Sequence, residues 1–217
     1  MKIALVGGTG DIGSGLALRW ALRNEIIIGS RKIEKAEASA SEVHKILGGG
    51  LVFGMDNKSA IEAADIVVLC VPYEHLRSVT SDLRGSYADQ LVVSPVVPMS
   101  YDGKHFVFVP PQEGSAALLA KSLLPEGIRI VSAFHTICAA ALQDRSRALQ
   151  GDVMICGDDK EAKELVAGLV GAIKDLRPLD AGPLSVSGLV EALTPMLLNV
   201  ARRNKIKDAG IKIIQER

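Results

Sequence analysis

Four apolar residues, Ile3-Ala4-Leu5-Val6, run without a break into Gly7-Gly8-Thr9-Gly10-Asp11-Ile12-Gly13, and a helical pattern opens near Ile12. A strand that empties through G-x-G-x-x-G (Gly8, Gly10, Gly13) into a helix is the start of a βαβ unit, and it commits the chain to packing that helix back onto a parallel sheet. The three glycines allow a tight turn, a close approach of backbone to pyrophosphate, and close packing of helix on strand. The helix N-terminus adds partial positive charge, so a dinucleotide is the ligand such a turn suits. The bland alternative is a glycine-rich turn that only saves space.

The rest of the chain keeps the same rhythm. IALV (3 to 6), EIIIG (25 to 29), DIVVLCV (65 to 71) and QLVVS (90 to 94) are continuous apolar runs, as strands buried on both faces must be. Segments 12 to 23, 32 to 46, 57 to 64 and 73 to 84 have helical composition, which predicts βαβ units and a parallel sheet. IRIVSAF (128 to 134), DVMIC (152 to 156) and LRPLD (176 to 180) extend the sheet to about seven or eight strands, with residues 160 to 173 an amphipathic helix between the last two. Residues 98 to 117, rich in Pro, Gly and polar side chains, read as a long loop near the sheet's carboxyl edge. From residue 183 the pattern is helical, with Pro195 a kink or break. The expected fold is α/β: a Rossmann-type, doubly wound, mainly parallel sheet over 1–182, with a small helical extension over 183–217.

Composition sets the bounds on function. A length of 217 residues suits one domain, or one with a small appendage. Hydrophobic residues make up 48% and charged residues 23%, enough to bury a core, while aromatics at 4% leave that core to Val, Ile, Leu and Ala. Lys and Arg number 25 and Asp and Glu 25, so no long-range field recruits nucleic acid or a membrane surface, and charge recognition must be local. Cys70, Cys138 and Cys156 each sit in apolar surroundings, without CxxC or Cys/His spacing. That argues for reduced, buried thiols in a cytoplasmic protein and for no metal site. The opening apolar run is too short for a signal peptide, and no span of eighteen apolar residues is expected, so neither secretion nor membrane insertion is predicted.

The second strand selects the dinucleotide. An NAD site places an acid at its end, about twenty residues past the glycines, to bind the ribose 2′-hydroxyl. Here EIIIG is followed by Ser30-Arg31-Lys32, with Lys35 one helical turn beyond Arg31. Ser30 can donate a hydrogen bond, Arg31 can grip a 2′-phosphate through two nitrogens, and Lys35 adds a compact charge, so NADP is expected. A solvated helix start would account for any one of these residues, but not for all three together with the missing acid.

Several longer segments are more distinctive than the glycine turn. GGTGDIGSGLALR, IIIGSRKIEKAE, VVSPVVP (92 to 98), SAFHTICAAAL (132 to 142), CGDD (156 to 159), LRPLDAGPL (176 to 184) and EALTPMLLN (191 to 199) occur in this order. Together they resemble the archaeal and actinobacterial NADP reductases that use the deazaflavin coenzyme F420. The cytosolic domains of eukaryotic metalloreductases share part of the pattern. The resemblance implies that Thr9, Gly10, Asp11, Ile12 and Gly13 hold the pyrophosphate and that Ser30, Arg31 and Lys35 hold the 2′-phosphate. It also implies that Pro72, Tyr73 and Val97 line the ribose and nicotinamide side. His135, Thr136 and Ile137 would lie where the two redox rings meet, Ala139 would meet the carboxamide through its backbone, and Thr194 and Pro195 would help close the deazaflavin site. Tyr73 stands where the family can have tryptophan, and Cys138 where it can have proline.

Hydride exchange between two organic carriers needs neither metal nor nucleophile, which suits a chain with no zinc spacing and no GxSxG. No catalytic acid or base is assigned. His44 reads as a helix-surface residue, His75 as a helix-surface residue or alternatively as a neighbour of the cofactor, His105 lies unassigned in the loop, and His135 at a strand end is read either as orienting a ring or as a buried hydrogen-bonding residue. Asp158 and Asp159 read as a helix cap and first turn. Arg202, Arg203, Lys205 and Lys207 read as a solvated helix end, or alternatively as attracting the coenzyme's anionic tail. The small size after residue 182 suggests a homodimer. Two other readings stay open: an NADP-dependent reductase of a flavin, imine or ketoacid, and a non-enzymatic NADP sensor.

Overall fold

A computed structural model describes residues 1–216. In chain order the elements are β1 (Lys2–Val6), α1 (Asp11–Trp20), β2 (Glu25–Ser30), α2 (Ile33–Leu47), β3 (Leu51–Asp56), α3 (Asn57–Glu62), β4 (Ile66–Leu69), α4 (Tyr73–Asp82) and β5 (Leu91–Ser94). A short hairpin, β6 (Met99–Tyr101) and β7 (Phe106–Phe108), precedes α5 (Ala116–Leu123), β8 (Ile130–Ser132) and α6 (Ala139–Gln143). The chain then forms β9 (Gly151–Gly157), α7 (Lys160–Gly171), β10 (Leu176–Gly182), α8 (Ser187–Glu191) and α9 (Leu193–Asn204).

Eight strands make one sheet in the order β10-β9-β8-β5-β4-β1-β2-β3. From β3 to β8 all neighbours are parallel, in the 3-2-1-4-5-6 order of a dinucleotide-binding fold. β9 turns antiparallel to β8, and β10 then pairs parallel to β9. Because helices cover both faces, alternate residues of one strand enter different cores: Ile3 and Leu5 pack on one side, Ala4 and Val6 on the other. That is why the strands read as unbroken apolar runs. Trp20 fills the first core, its ring edge-on to Phe134 at 5.6 Å and its indole N–H donating to the Leu169 carbonyl at 3.0 Å.

Several elements differ from the sequence expectation. β3 has no counterpart there, because LVFGMD is short, edge-exposed and carries a glycine. Gly54 is required by α2, since a Cβ at this position would overlap the backbone of Ala36 and Glu37. The stretch expected to be a loop holds the β6–β7 hairpin, and α5 begins inside it. β4 stops at Leu69 and β8 covers only three residues. The break expected at Pro195 is present and falls at Ala192: the proline occupies the first turn of α9, where a missing N–H costs nothing. The stretch Leu184–Asn204 is, by length and composition, apolar enough to cross a membrane, although Ser185, Ser187, Glu191, Thr194 and Asn199 interrupt any unbroken apolar run. It is divided at Ala192 and carries the fully buried Glu191, whose carboxylate accepts from the Ala116 and Ala117 amides at the start of α5.

Candidate functional site

The turn after β1 is fixed by contacts that leave little freedom. Gly8 N–H donates to the carbonyls of Leu5 (2.9 Å) and Gly29 (3.0 Å), and Gly7 N–H donates to the Asn57 side-chain oxygen (3.2 Å). A Cβ on Gly13 would overlap the Gly8 backbone, so α1 can approach the turn only with glycine there. At Gly10 a Cβ would meet nothing within 4 Å. No side chain caps α1, and its first intrahelical bond runs from Ser14 N–H to the Gly10 carbonyl. The preceding amides remain as donors for an anion. The Asp11 carboxylate accepts from Gln143 at 3.3 Å.

This turn floors a cavity of about 970 Å³ at the carboxyl ends of β1, β2, β4 and β5. Thr9, Gly10, Asp11, Ile12, Ser30, Arg31, Lys35, Pro72 and Ala139 lie in its wall, with Lys32, Asn57 and His75 beside them. Ser30 is nearly buried and its oxygen accepts from Lys32 N–H at 3.2 Å. Among the described residues neither Arg31 nor Lys35 is engaged in an ion pair. Both line the cavity wall, so their charges are available to an anion bound there.

A second cavity of about 750 Å³ continues from the first. The two share Ile12, Val71, Pro72, Pro95, Val96 and Ala139. Tyr73, Val97, His135, Thr136, Ile137 and Thr194 line the second, together with Phe134, Leu197, Leu198 and Ile206. Phe134 takes a positive φ of 70°, a strained conformation for a bulky residue, and this turns the chain sharply at the end of β8. His135 is 6% exposed and its Nε2 lies 3.2 Å from Ser132 Oγ, while Nδ1 has no partner among the described residues. Burial pushes its pKa down to about 4, so the imidazole is neutral at physiological pH. Thr194 Oγ1 donates to the His135 carbonyl at 2.8 Å, fastening α9 to this loop. Asn199 grips Phe106, accepting from its N–H (2.8 Å) and donating to its carbonyl (2.7 Å), which docks α9 on the hairpin.

Most of the residues singled out in the sequence therefore meet around one two-chambered space. Gly13 and Pro195 are the exceptions: both are buried, and neither contributes to a cavity wall. His75, read either as a helix-surface residue or as a neighbour of the cofactor, lines the first cavity. Asn57 was not foreseen, because it reaches the glycine turn from the far side of β2. Its signal is an amide-bearing residue just after the strand that follows the cationic segment. Arg202 is not simply solvated: its guanidinium sits 5.0 Å above the Tyr101 ring and hydrogen-bonds the Tyr101 hydroxyl. Asp159 caps α7 by accepting from Ala162 N–H (2.7 Å), and Asp158 bonds Lys121 (2.7 Å) and Leu184 N–H (3.0 Å).

Residues 2–98 match the model of a family described as NADP oxidoreductase, coenzyme F420-dependent. The chain is 41% identical over 219 residues to the F420-dependent NADP reductase of Methanocaldococcus jannaschii, covering 98% of each protein. It is 38% identical to the F420-dependent NADP reductase of Methanothermobacter thermautotrophicus, covering 98% of this chain and 94% of that one. In fold it resembles the crystal structure of a candidate F420-dependent NADP reductase from Arthrobacter sp. FB24, with a TM-score of 0.83 at 24% identity over 99% of this chain and 100% of that one. With relatives of this identity matched from end to end, the chain belongs to the F420-dependent NADP reductases.

Proposed function

We propose that this protein transfers a hydride reversibly between NADP and coenzyme F420. The observation that carries the reading is the continuity of the two cavities: one is walled by uncapped helix amides and unpaired cations, the other by apolar side chains, and they share six residues. Both groups are two-electron carriers and supply the redox chemistry themselves when bound. The protein's contribution is to bind, orient and exclude water.

In the first cavity the backbone of Thr9, Gly10, Asp11 and Ile12 holds the pyrophosphate, with Gly13 keeping the turn closed behind it. Ser30, Arg31 and Lys35 hold the 2′-phosphate. Pro72, Tyr73 and Val97 flank the ribose and nicotinamide side, and the Ala139 backbone meets the carboxamide. His135, Thr136 and Ile137 wall the space where the rings meet. A neutral His135 places no fixed positive charge against the hydride path. Thr194, through the His135 carbonyl, and Pro195, in the first turn of α9, set the C-terminal segment from residue 183 as the wall that closes the deazaflavin chamber.

The finer expectations have their own support. Three free thiols fit a reducing, cytoplasmic setting. Met99, Tyr101, Val107, Leu189, Met196 and Val200 leave apolar surface exposed around the hairpin and α8–α9, which fits a homodimer, and a monomeric mass at full activity would count against that. The function is tested by following the deazaflavin absorbance band with purified protein and NADPH. Bleaching coupled to NADPH consumption is expected. NADPH binding without any change in the band would leave a reductase of another acceptor or a nucleotide sensor.

A further inference from the structure

The chain does not end its structural work at α9. Lys205 and Asp208 both adopt positive φ (54° and 53°), turning the backbone after α9. Ile206, Asp208 and Ala209 then become part of the second cavity's wall. Asp208 and Ala209, with Gly210, also line a smaller chamber of about 270 Å³ on the other side. The segment is therefore a partition between two spaces, and a partition this thin keeps its shape only if both ends are fixed.

Two anchors do this. The first is Asp208, whose carboxylate pairs with Arg147 Nη1 at 2.5 Å and accepts from Cys138 Sγ at 3.1 Å. The second is Asp152, at the start of β9. β8 pairs with β9 only near its far end, at Cys156 and Gly157, so the opening residues of β9 have no β8 neighbour. Residues 211–213 use them. Asp152 N–H donates to the Ile211 carbonyl (2.8 Å), and the Asp152 carboxylate accepts from Ile213 N–H (2.6 Å). That carboxylate is 1% exposed and is bound through both oxygens by Arg177 (2.8 and 2.7 Å). Arg177 reaches on to donate to the Ile213 carbonyl at 2.6 Å. A surface ion pair would be worth little, but here one guanidinium closes a ring of charge-assisted bonds around a buried carboxylate and one strap residue. Asp152 also touches the other side of the chamber: its carbonyl lies 3.5 Å from Thr136 Oγ1.

We infer that residues 205–213 form a strap that completes the acceptor chamber, and that Asp152 and Arg177 are positioning residues which clamp it in register. The inference rests on the reading that this chamber takes the deazaflavin. Arg177 lines none of these three cavities, so it acts on the acceptor through the strap.

The test compares Arg177→Ala, Arg177→Lys and Ile213→Pro with the parent protein. Ile213→Pro removes the strap's donor while leaving the Asp152–Arg177 pair intact, at a residue that is largely exposed. Three quantities are read: KM for coenzyme F420, Kd for NADPH, and the rate of tryptic cleavage after Lys205, Lys207 and Lys212, followed by mass spectrometry. Arg177→Ala and Ile213→Pro are expected to raise the coenzyme KM about tenfold and to speed cleavage, with NADPH Kd within about twofold of the parent. Arg177→Lys, which keeps the charge but not the fork, is expected to recover part of the loss. Unchanged cleavage and KM would overturn the clamp, and a parallel loss of NADPH affinity would reduce it to general stability. If the parent protein fails to turn over coenzyme F420, faster cleavage would still establish the strap, and only its acceptor role would fall with the functional reading.

Discussion

At the scale of single residues, the phosphate end of the site is carried by chemistry that the sequence displays openly. Ser30, Arg31 and Lys35 stand at the end of β2, where an acid would be needed for NAD, and among the described residues no carboxylate pairs with either cation. Arg31→Ala is expected to weaken NADPH binding about ten- to a hundredfold, the range of a lost charge-assisted contact, and to change NADH binding less than about threefold. Competitive titration of both nucleotides checks this; equal losses would mean that Arg31 does not read the 2′-phosphate. Asn57 was not legible in the same way, and His75 only as one of two readings. Their side chains reach the cavity from α3 and α4, and nothing in local sequence says that a helix start three strands along will touch the first turn.

At the scale of elements, continuous apolar runs and glycine turns made β1, β2, β4, β5 and β9 readable, because burial on both faces leaves no alternation to misread. β3 escaped for the opposite reason: it is an edge strand, with Leu51 and Phe53 exposed and a glycine where α2 crosses. The junction of α8 with α5 was likewise hidden, since Glu191 looks like any helix-surface acid until it is found wholly buried. Burial raises its pKa to about 7, despite the two amides that favour its charge. The folded state therefore holds a proton that the unfolded state releases between the ordinary carboxyl value of 4.5 and about 7. Its contribution to stability is complete at the acid end and is lost as pH rises through that window. His135, with its pKa pushed down, acts in the opposite sense, favouring the fold as pH rises from about 4 to 6.5. Glu191→Gln should therefore gain on the parent protein by about 2 kcal/mol between pH 5 and pH 8, read by urea denaturation at both values. A difference independent of pH would show that Glu191 is ionised in the fold.

At the scale of the whole molecule, a net charge of zero hides a segregated interior. Positive charge and helix amides gather in one chamber, apolar side chains line its neighbour, and the sheet's carboxyl edge joins them. The order of the motifs along the chain announced both chambers. Their adjacency was implied only by the family resemblance, because physically it depends on α6 folding back onto α1, with Gly15 packed against Leu142 and Arg19 of α1 bonded to the carbonyls of Ala141, Leu142 and Asp144. This adjacency lets a hydride pass directly between the two carriers, and direct transfer can be read from isotope content. It is tested by incubating the protein with coenzyme F420 and NADPH carrying deuterium at both C4 positions, in ordinary water, and weighing the reduced coenzyme. Retention of one deuterium per turnover is the predicted result; reduced coenzyme carrying only solvent hydrogen would contradict it.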